Sequence, residues 1–298
     1  MSMRHKLGYN FYDIFVYGFA IAFALICIYP MWYVFIGSIT PSASTVQQSL
    51  RILPPGNPTL QYYKIVLYTK EFSHSIFISF LKTALGAFGA LILTAMMAYG
   101  VSKKNVMGMK TLNFIIVFLM FFGGGLIPTY LLYNQLHLLK SFWAMVIPGW
   151  ISIGHFVIMR NYFSYNVSEE LEAAAVIDGA NNVILFFKII IPISMPMFAA
   201  IFLFEAVGHW NDWTSYLYFV GSVKYMPFIV VLQEILRNPN GPMVQEATST
   251  ALNVQHRILP PAALVNTTII VAMLPIMAVY PFLQKHFAKG ILIGAVKG

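Results

Sequence analysis

Long apolar stretches alternate with short polar ones along the whole chain. Runs at residues 14–38, 75–100, 112–133, 142–162, 193–219 and 263–282 are each long enough to cross about 30 Å of hydrocarbon at 1.5 Å per residue. Backbone polar groups in lipid must be satisfied within their own segment, so all six are expected as helices. The first run is too long for a signal-peptide core and no small-residue cleavage site follows it, so it reads as a retained anchor. Tyr9, Tyr12, Tyr17, Tyr29, Trp32 and Tyr33 flank its ends as interfacial aromatics do. Gly123, Gly124, Gly125 and Pro128 interrupt the third run. Close helix packing with a kink is expected there, ahead of a full break lining a pathway. The fold class is thus all-α: one polytopic membrane domain over residues 1–298.

Composition agrees. Charged residues are 9% and hydrophobic ones 59%, against about 25% charged in an average soluble domain. Twenty-eight charged side chains cannot hydrate the exterior of a soluble protein of 298 residues. The net charge of +8 does not point to nucleic acid, because the bases sit singly between apolar runs. They read instead as topology signals. Arg4, Lys6, Lys103, Lys104, Lys110, Arg160, Lys188, Lys285, Lys289 and Lys297 fall on one side of a six-span chain. That side is expected to be cytoplasmic, with both termini. Arg51, Lys64, Lys70, Lys140, Lys224, Arg237 and Arg257 fall in the longer opposite loops. Two of those loops carry proline clusters: Pro54, Pro55 and Pro58, and Pro239, Pro242, Pro260 and Pro261. The second loop also holds an apolar stretch at 228–236, expected as a short helix at the outer surface.

The connection at 168–192 reads SEELEAAAVIDGANNVILFFKIIIP. Ser168 can cap a helix that starts with Glu169, Glu170 and Leu171, acidic residues being favoured in the first turn. Ala173, Ala174 and Ala175 favour helix, and Asp178-Gly179 marks a turn before a second amphipathic stretch. Helix, tight turn, helix is expected, and spacing alone leaves an ordinary amphipathic re-entry loop equally open.

Inside the spans, each charge needs a reason. On an ideal helix Glu205, His209, Asp212 and Tyr216 share one face of the fifth span, with Trp210 and Trp213 close by. Such a mixture suits a sugar: carboxylates bond hydroxyls and indoles stack on ring CH faces. The alternative is an interhelical polar cluster that fixes packing. Asn211 points off this stripe. Lys82, in the second span, is expected to snorkel to the outer interface, with pairing to an acid or an anionic substrate as alternatives. His155 with Ser152 is a weaker pathway candidate. The seven histidines form no HExxH or His–carboxylate cluster, so no metal site is expected. Cys27 is single and lies within an apolar run.

The 168–192 segment resembles the EAA loop of ABC importer permeases. The similarity lies in Glu172-Ala173-Ala174, Asp178-Gly179-Ala180, Phe186, Ile189 and Pro192. In that family the Glu falls where this chain has Ala173, one residue later than Glu172. Gly125-Leu126-Ile127-Pro128-Thr129-Tyr130, Met159 to Phe163, His209 to Trp213, and the tail from Tyr280 to Lys285 and Gly294 to Gly298 are similar to the carbohydrate-uptake, maltose-transporter-like branch. Within it, the complex-oligosaccharide sub-branch is closest.

The resemblance implies a coupling helix on the cytoplasmic face of a bacterial cell membrane, with an ATPase-facing role shared by Glu169, Glu170 and Glu172. It also implies a second, homologous permease, two cytoplasmic ATPases and an extracellular solute-binding protein. ATP and magnesium would be bound by the ATPases and no cofactor by this chain, which has no P-loop of its own. The function implied is import of oligosaccharides, acidic or complex glycans included, by alternating access, not catalysis. The alternatives are a permease of the same superfamily for a non-sugar solute and a membrane enzyme acting on lipid-linked sugars.

Overall fold

The computed structural model describes residues 11–41, 53–103, 106–245 and 261–295. Arg4, Lys6, Tyr9, Arg51, Lys104, Arg257, Pro260 and Lys297 lie outside the described residues. Among the described residues every regular element is helical. The helices are α1 (Phe11–Ser38), α2 (Gln61–Tyr68), α3 (Lys70–Ser102), α4 (Met109–Phe121), α5 (Leu126–Gln135), α6 (Ile153–Asn166), α7 (Glu169–Ile177), α8 (Asn182–Ile193), α9 (Met195–Asn211), α10 (Thr214–Phe219), α11 (Phe228–Arg237) and α12 (Pro261–Ala295). Four segments are long and apolar enough to cross a membrane, and six are if each of two bent pairs is one crossing.

The chain divides into two compact units. One comprises residues 1–69 and 234–272. In it, Ser38 Oγ lies 2.6 Å from Tyr63 Oη. Thr267 Oγ1 donates to Ala263 O and to Ser38 O, so hydroxyls in the apolar helices return their hydrogen bonds to backbone. From Tyr12 to Trp32 nearly every α1 side chain is exposed, which suits lipid or another subunit as its surroundings.

The other unit, residues 70–233 and 273–298, is organised on α3, which packs along α6 and α9. At 33 residues it is about 50 Å long. Ser75, Ser79, Lys82, Gly86, Ala90, Thr94 and Ala98 recur at three- and four-residue spacing and are all buried. This stripe of mostly small residues lets neighbouring helices approach closely. A Cβ on Gly86 would lie 2.5 Å from His209 Cε1, and one on Gly89 would collide with the Trp150 indole nitrogen. Ser79 Oγ accepts from Phe228 N at 2.7 Å and satisfies a free amide at the start of α11. Tyr99, Phe156, Met159, Phe163, Phe186 and Phe198 form the core towards the far end of α3.

Three expected spans are not single helices. The third is two helices, α4 and α5, bent by 116° at residues 122–125. Gly125 there has φ 78° and ψ −179°, a conformation that needs glycine, so the glycine run makes a full break and not a kink. The fourth begins as 3₁₀ turns at Phe142–Met145 and Ile147–Trp150 and becomes α-helix only at Ile153, extending to Asn166. The fifth ends as helix at Asn211; Asp212 is extended (ψ 104°) and α10 follows as a separate piece. Asp212 and Tyr216 are therefore not on the helical stripe of Glu205 and His209. The fifth span is also preceded by an 87° elbow from α8, at Ser194.

Candidate functional site

Two groups of the residues singled out above are brought together, one at the C-terminal end of α3 and one beside its middle.

At one end lies the helix–turn–helix. Ser168 Oγ accepts from Leu171 N at 3.2 Å and caps α7. After Ile177 the chain turns through Gly179 at φ 86°, and Ala180 N donates to Ala175 O at 2.9 Å, closing the helix end. Asn181 Oδ1 accepts from Ile184 N at 2.8 Å and caps α8. In place of a regular amphipathic helix, α8 widens to π-helix over Leu185–Ile190, with Leu185, Phe186 and Ile190 buried in the core. Glu169, Glu170, Ala173, Ala174, Asp178 and Gly179 are exposed, and Ala180 is half-buried.

Glu172 behaves differently from its neighbours. Its Oε1 accepts from Tyr99 Oη at 2.9 Å and from the Lys103 ammonium. That ammonium also lies 3.9 Å from the centroid of the Tyr99 ring. This carboxylate is thus held within the chain. A cleft of about 980 Å³ opens beside it, lined by Tyr99, Lys103, Glu169, Glu172, Ala173 and Phe186 among others.

The other group surrounds a cavity of about 310 Å³ lined by Tyr133, Ser152, Glu205, His209, Asp212 and Ser215, with Gly208, Gly149 and others completing the wall. That is at the small end of ligand pockets, about 300–1,000 Å³. Glu205 and His209 are nine-tenths buried on adjacent turns of α9. The Glu205 Oε1 lies 2.5 Å from His155 Nδ1, and Ser152 Oγ is 3.1 Å from the same nitrogen. The His209 ring is wedged against Gly86 and Gly149, and no described residue hydrogen-bonds to it.

Lys82 does not snorkel: it is 1% exposed and donates to Asp212 Oδ2 at 2.8 Å and Asp212 O at 2.5 Å. Asp212 Oδ1 accepts from Thr214 Oγ1 and Ser215 N. One aspartate thereby joins the end of α9, the start of α10 and α3, and both its carboxylate oxygens are occupied.

Of the other residues expected here, Trp210 packs edge-on against Phe80, 5.3 Å between centroids. Tyr216 is buried with Ile78, Tyr133, Phe142 and Met145. Trp213 is half-buried, and neither tryptophan lines the cavity. Asn211 bonds back to Val207 O within its own helix. Tyr133 and Ser215 line the cavity without having been singled out; a Tyr in an apolar span and a Ser in a polar cluster carry no signal of their own. Tyr99 was likewise not singled out, and Lys103 was read only as a topology charge.

The same architecture occurs in a crystal structure of a bacterial ABC transporter involved in the import of the acidic polysaccharide alginate. One chain of it matches with TM-score 0.82 and 29% identity, over 92% of this chain and 98% of that one. The fold is that of an ABC importer permease, a multi-pass membrane protein. No protein-family model matches the chain. The polygalacturonan/rhamnogalacturonan transport system permease protein YtcP of Bacillus subtilis is 38% identical over 99% of this chain and its own whole length. The protein LplC of the same organism is 38% identical over 92% of this chain and 90% of its own. The chain belongs to the permease family of ABC carbohydrate importers.

Proposed function

We propose that this chain is one of two homologous permease subunits of an ATP-driven importer that carries acidic or complex oligosaccharides into the cytoplasm. The observation that carries the reading is end-to-end similarity to a polygalacturonan/rhamnogalacturonan permease. The alginate importer's likeness in fold supports the acidic class.

In this reading both termini, the Lys103 loop and the helix–turn–helix face the cytoplasm. The exposed surface of Glu169, Glu170, Ala173, Ala174 and Asp178–Ala180 docks a helix-sized element into a groove of a partner ATPase. Two such ATPases bind ATP and magnesium, and an extracellular solute-binding protein delivers the sugar. Closure of the ATPases moves the docked helices and opens the pathway alternately to each side. Glu205 and His209, with Ser152, Tyr133 and Ser215, offer hydroxyl-matching groups along that pathway. Asp212 contributes chiefly by shaping it, because each of its carboxylate oxygens already accepts a hydrogen bond within the chain.

The test is uptake of a radiolabelled oligogalacturonide by a strain lacking its own permease and complemented with this chain and its partner subunits. Acidic oligosaccharides are expected to compete and amino acids are not. Competition by amino acids, or by no glycan at all, would sink the reading.

A further inference from the structure

We propose that Glu172, Tyr99 and Lys103 form a joint through which movement of the helix–turn–helix drives α3, and through α3 the cavity that His209 and Asp212 line. The inference rests on the reading that this helix–turn–helix docks an ATPase.

Three acids occupy the first turn of α7, and they divide. Glu169 and Glu170 are exposed. Glu172 turns inward, its side chain 19% exposed, and takes two donors from the end of α3 and the residue just after it. Tyr99 is itself fixed: its ring packs 5.6 Å from Phe163 and 5.5 Å from Phe186, on α6 and α8. The joint is therefore anchored to the core through Tyr99. A charge-assisted pair with a second donor is among the stronger polar contacts available at a partly exposed site.

The same helix carries a second polar fastening. Lys82 holds both the carboxylate and the carbonyl of Asp212, and Gly86 receives the His209 ring. Lys82 and Lys103 are separated by about 31 Å of helix. The helix–turn–helix thus reaches the cavity along two routes. One is covalent, through α8 and the elbow at Ser194 into α9. The other runs from Glu172 along α3 to Asp212 and His209. With α3 fastened at its C-terminal end and again at Lys82 and Gly86, a displacement of α7 is passed along the rigid helix between the two fastenings.

The sequence shift noted earlier acquires a physical content here. The Glu at position 172 faces inward and belongs to the chain's own frame, leaving Glu169 and Glu170 to present charge outward.

The test uses the complete importer, with both permeases, the ATPases and the binding protein, in proteoliposomes. Sugar moved per ATP hydrolysed is the readout. Glu172→Gln, Lys103→Gln and Tyr99→Phe are expected to retain the ATPases and hydrolysis while sugar per ATP falls at least about fivefold, the lower end of ordinary coupling between sites. The charge exchange Glu172→Lys with Lys103→Glu is expected to restore it in large part. Tyr99→Phe removes one hydroxyl and keeps the ring, so it reports on the joint even where a charge change impairs folding.

Unchanged sugar per ATP in the Tyr99→Phe and Lys103→Gln variants would overturn the joint. So would loss of the ATPases from Glu172→Gln alone, since Glu172 would then contact the partner directly. Absence of the ATPases from the wild-type complex would overturn the functional reading, and the joint with it.

Discussion

The placement of Asp212 shows how little a charge's type says about its task. Its carboxylate holds Lys82, Thr214 and Ser215 at once, so its first consequence is for stability. Lys82→Met leaves that carboxylate without its cation; breaking a buried pair costs about 3–5 kcal/mol, and the lower figure is expected because Asp212 remains one-quarter exposed. Lys82→Met with Asp212→Asn removes the orphaned charge while the amide oxygen can still cap Ser215. Thermal unfolding of the detergent-purified protein should show the single variant well below wild type and the double between them. A double variant no more stable than the single would contradict this account. At Gly86, an added methyl group meets the His209 ring at 2.5 Å. Gly86→Ala is expected to lower folded yield, and Gly86→Ala with His209→Ala to recover it. Failure of the second change to help, by size-exclusion profile, would mean the close approach is not what makes glycine necessary. Lys82 was legible in the sequence as a charge requiring an account. Its partner, 130 residues away, was not, because helical spacing relates residues within one element and carries nothing about which helices meet.

At the level of elements, local chemistry was readable and tertiary bending was not. Ser168, three early acids and Asp178-Gly179 specify a capped helix and a turn through nearby backbone bonds alone, and those bonds are present. The π-helical widening at Leu185–Ile190 and the 87° elbow at Ser194 follow from how Leu185, Phe186 and Ile190 seat in a core assembled from distant segments. A pattern of apolar residues cannot register that. The third span lies between these cases: its three glycines signalled an interruption, but the 116° angle depends on Gly125 alone adopting a left-handed φ. Strain at such a position costs about 1–3 kcal/mol in other residues. Gly125→Ala is therefore expected to reduce folded yield, whereas Gly123→Ala, with nothing within 4 Å of the added carbon, should be silent. Equal yields by fluorescence-detected size exclusion would remove the geometric requirement for the break.

For the whole molecule, scarcity of charge correctly indicated a membrane protein, and the few charges left set its proposed orientation. The Glu172–Lys103 pair joins two connections that charge counting put on the same side. Exposed Glu170 and exposed Ser73 belong to loops expected on opposite sides. In a Cys27→Ser background, Glu170→Cys should react with a membrane-impermeant maleimide only in inverted vesicles, and Ser73→Cys only in intact cells. The reverse pattern would invert the topology and remove the ATPase-docking role from residues 168–192.

The central claim is ATP-driven import of an oligosaccharide, and reconstitution addresses it most directly. The purified complex of this chain, its partner permease and the ATPases is placed in proteoliposomes with the binding protein on the side of its docking surface. ATP supplied to the ATPase side should drive accumulation of labelled oligogalacturonide against its gradient, and the non-hydrolysable analogue should not. Equal accumulation with and without ATP, or hydrolysis that never responds to sugar and binding protein, would contradict the account.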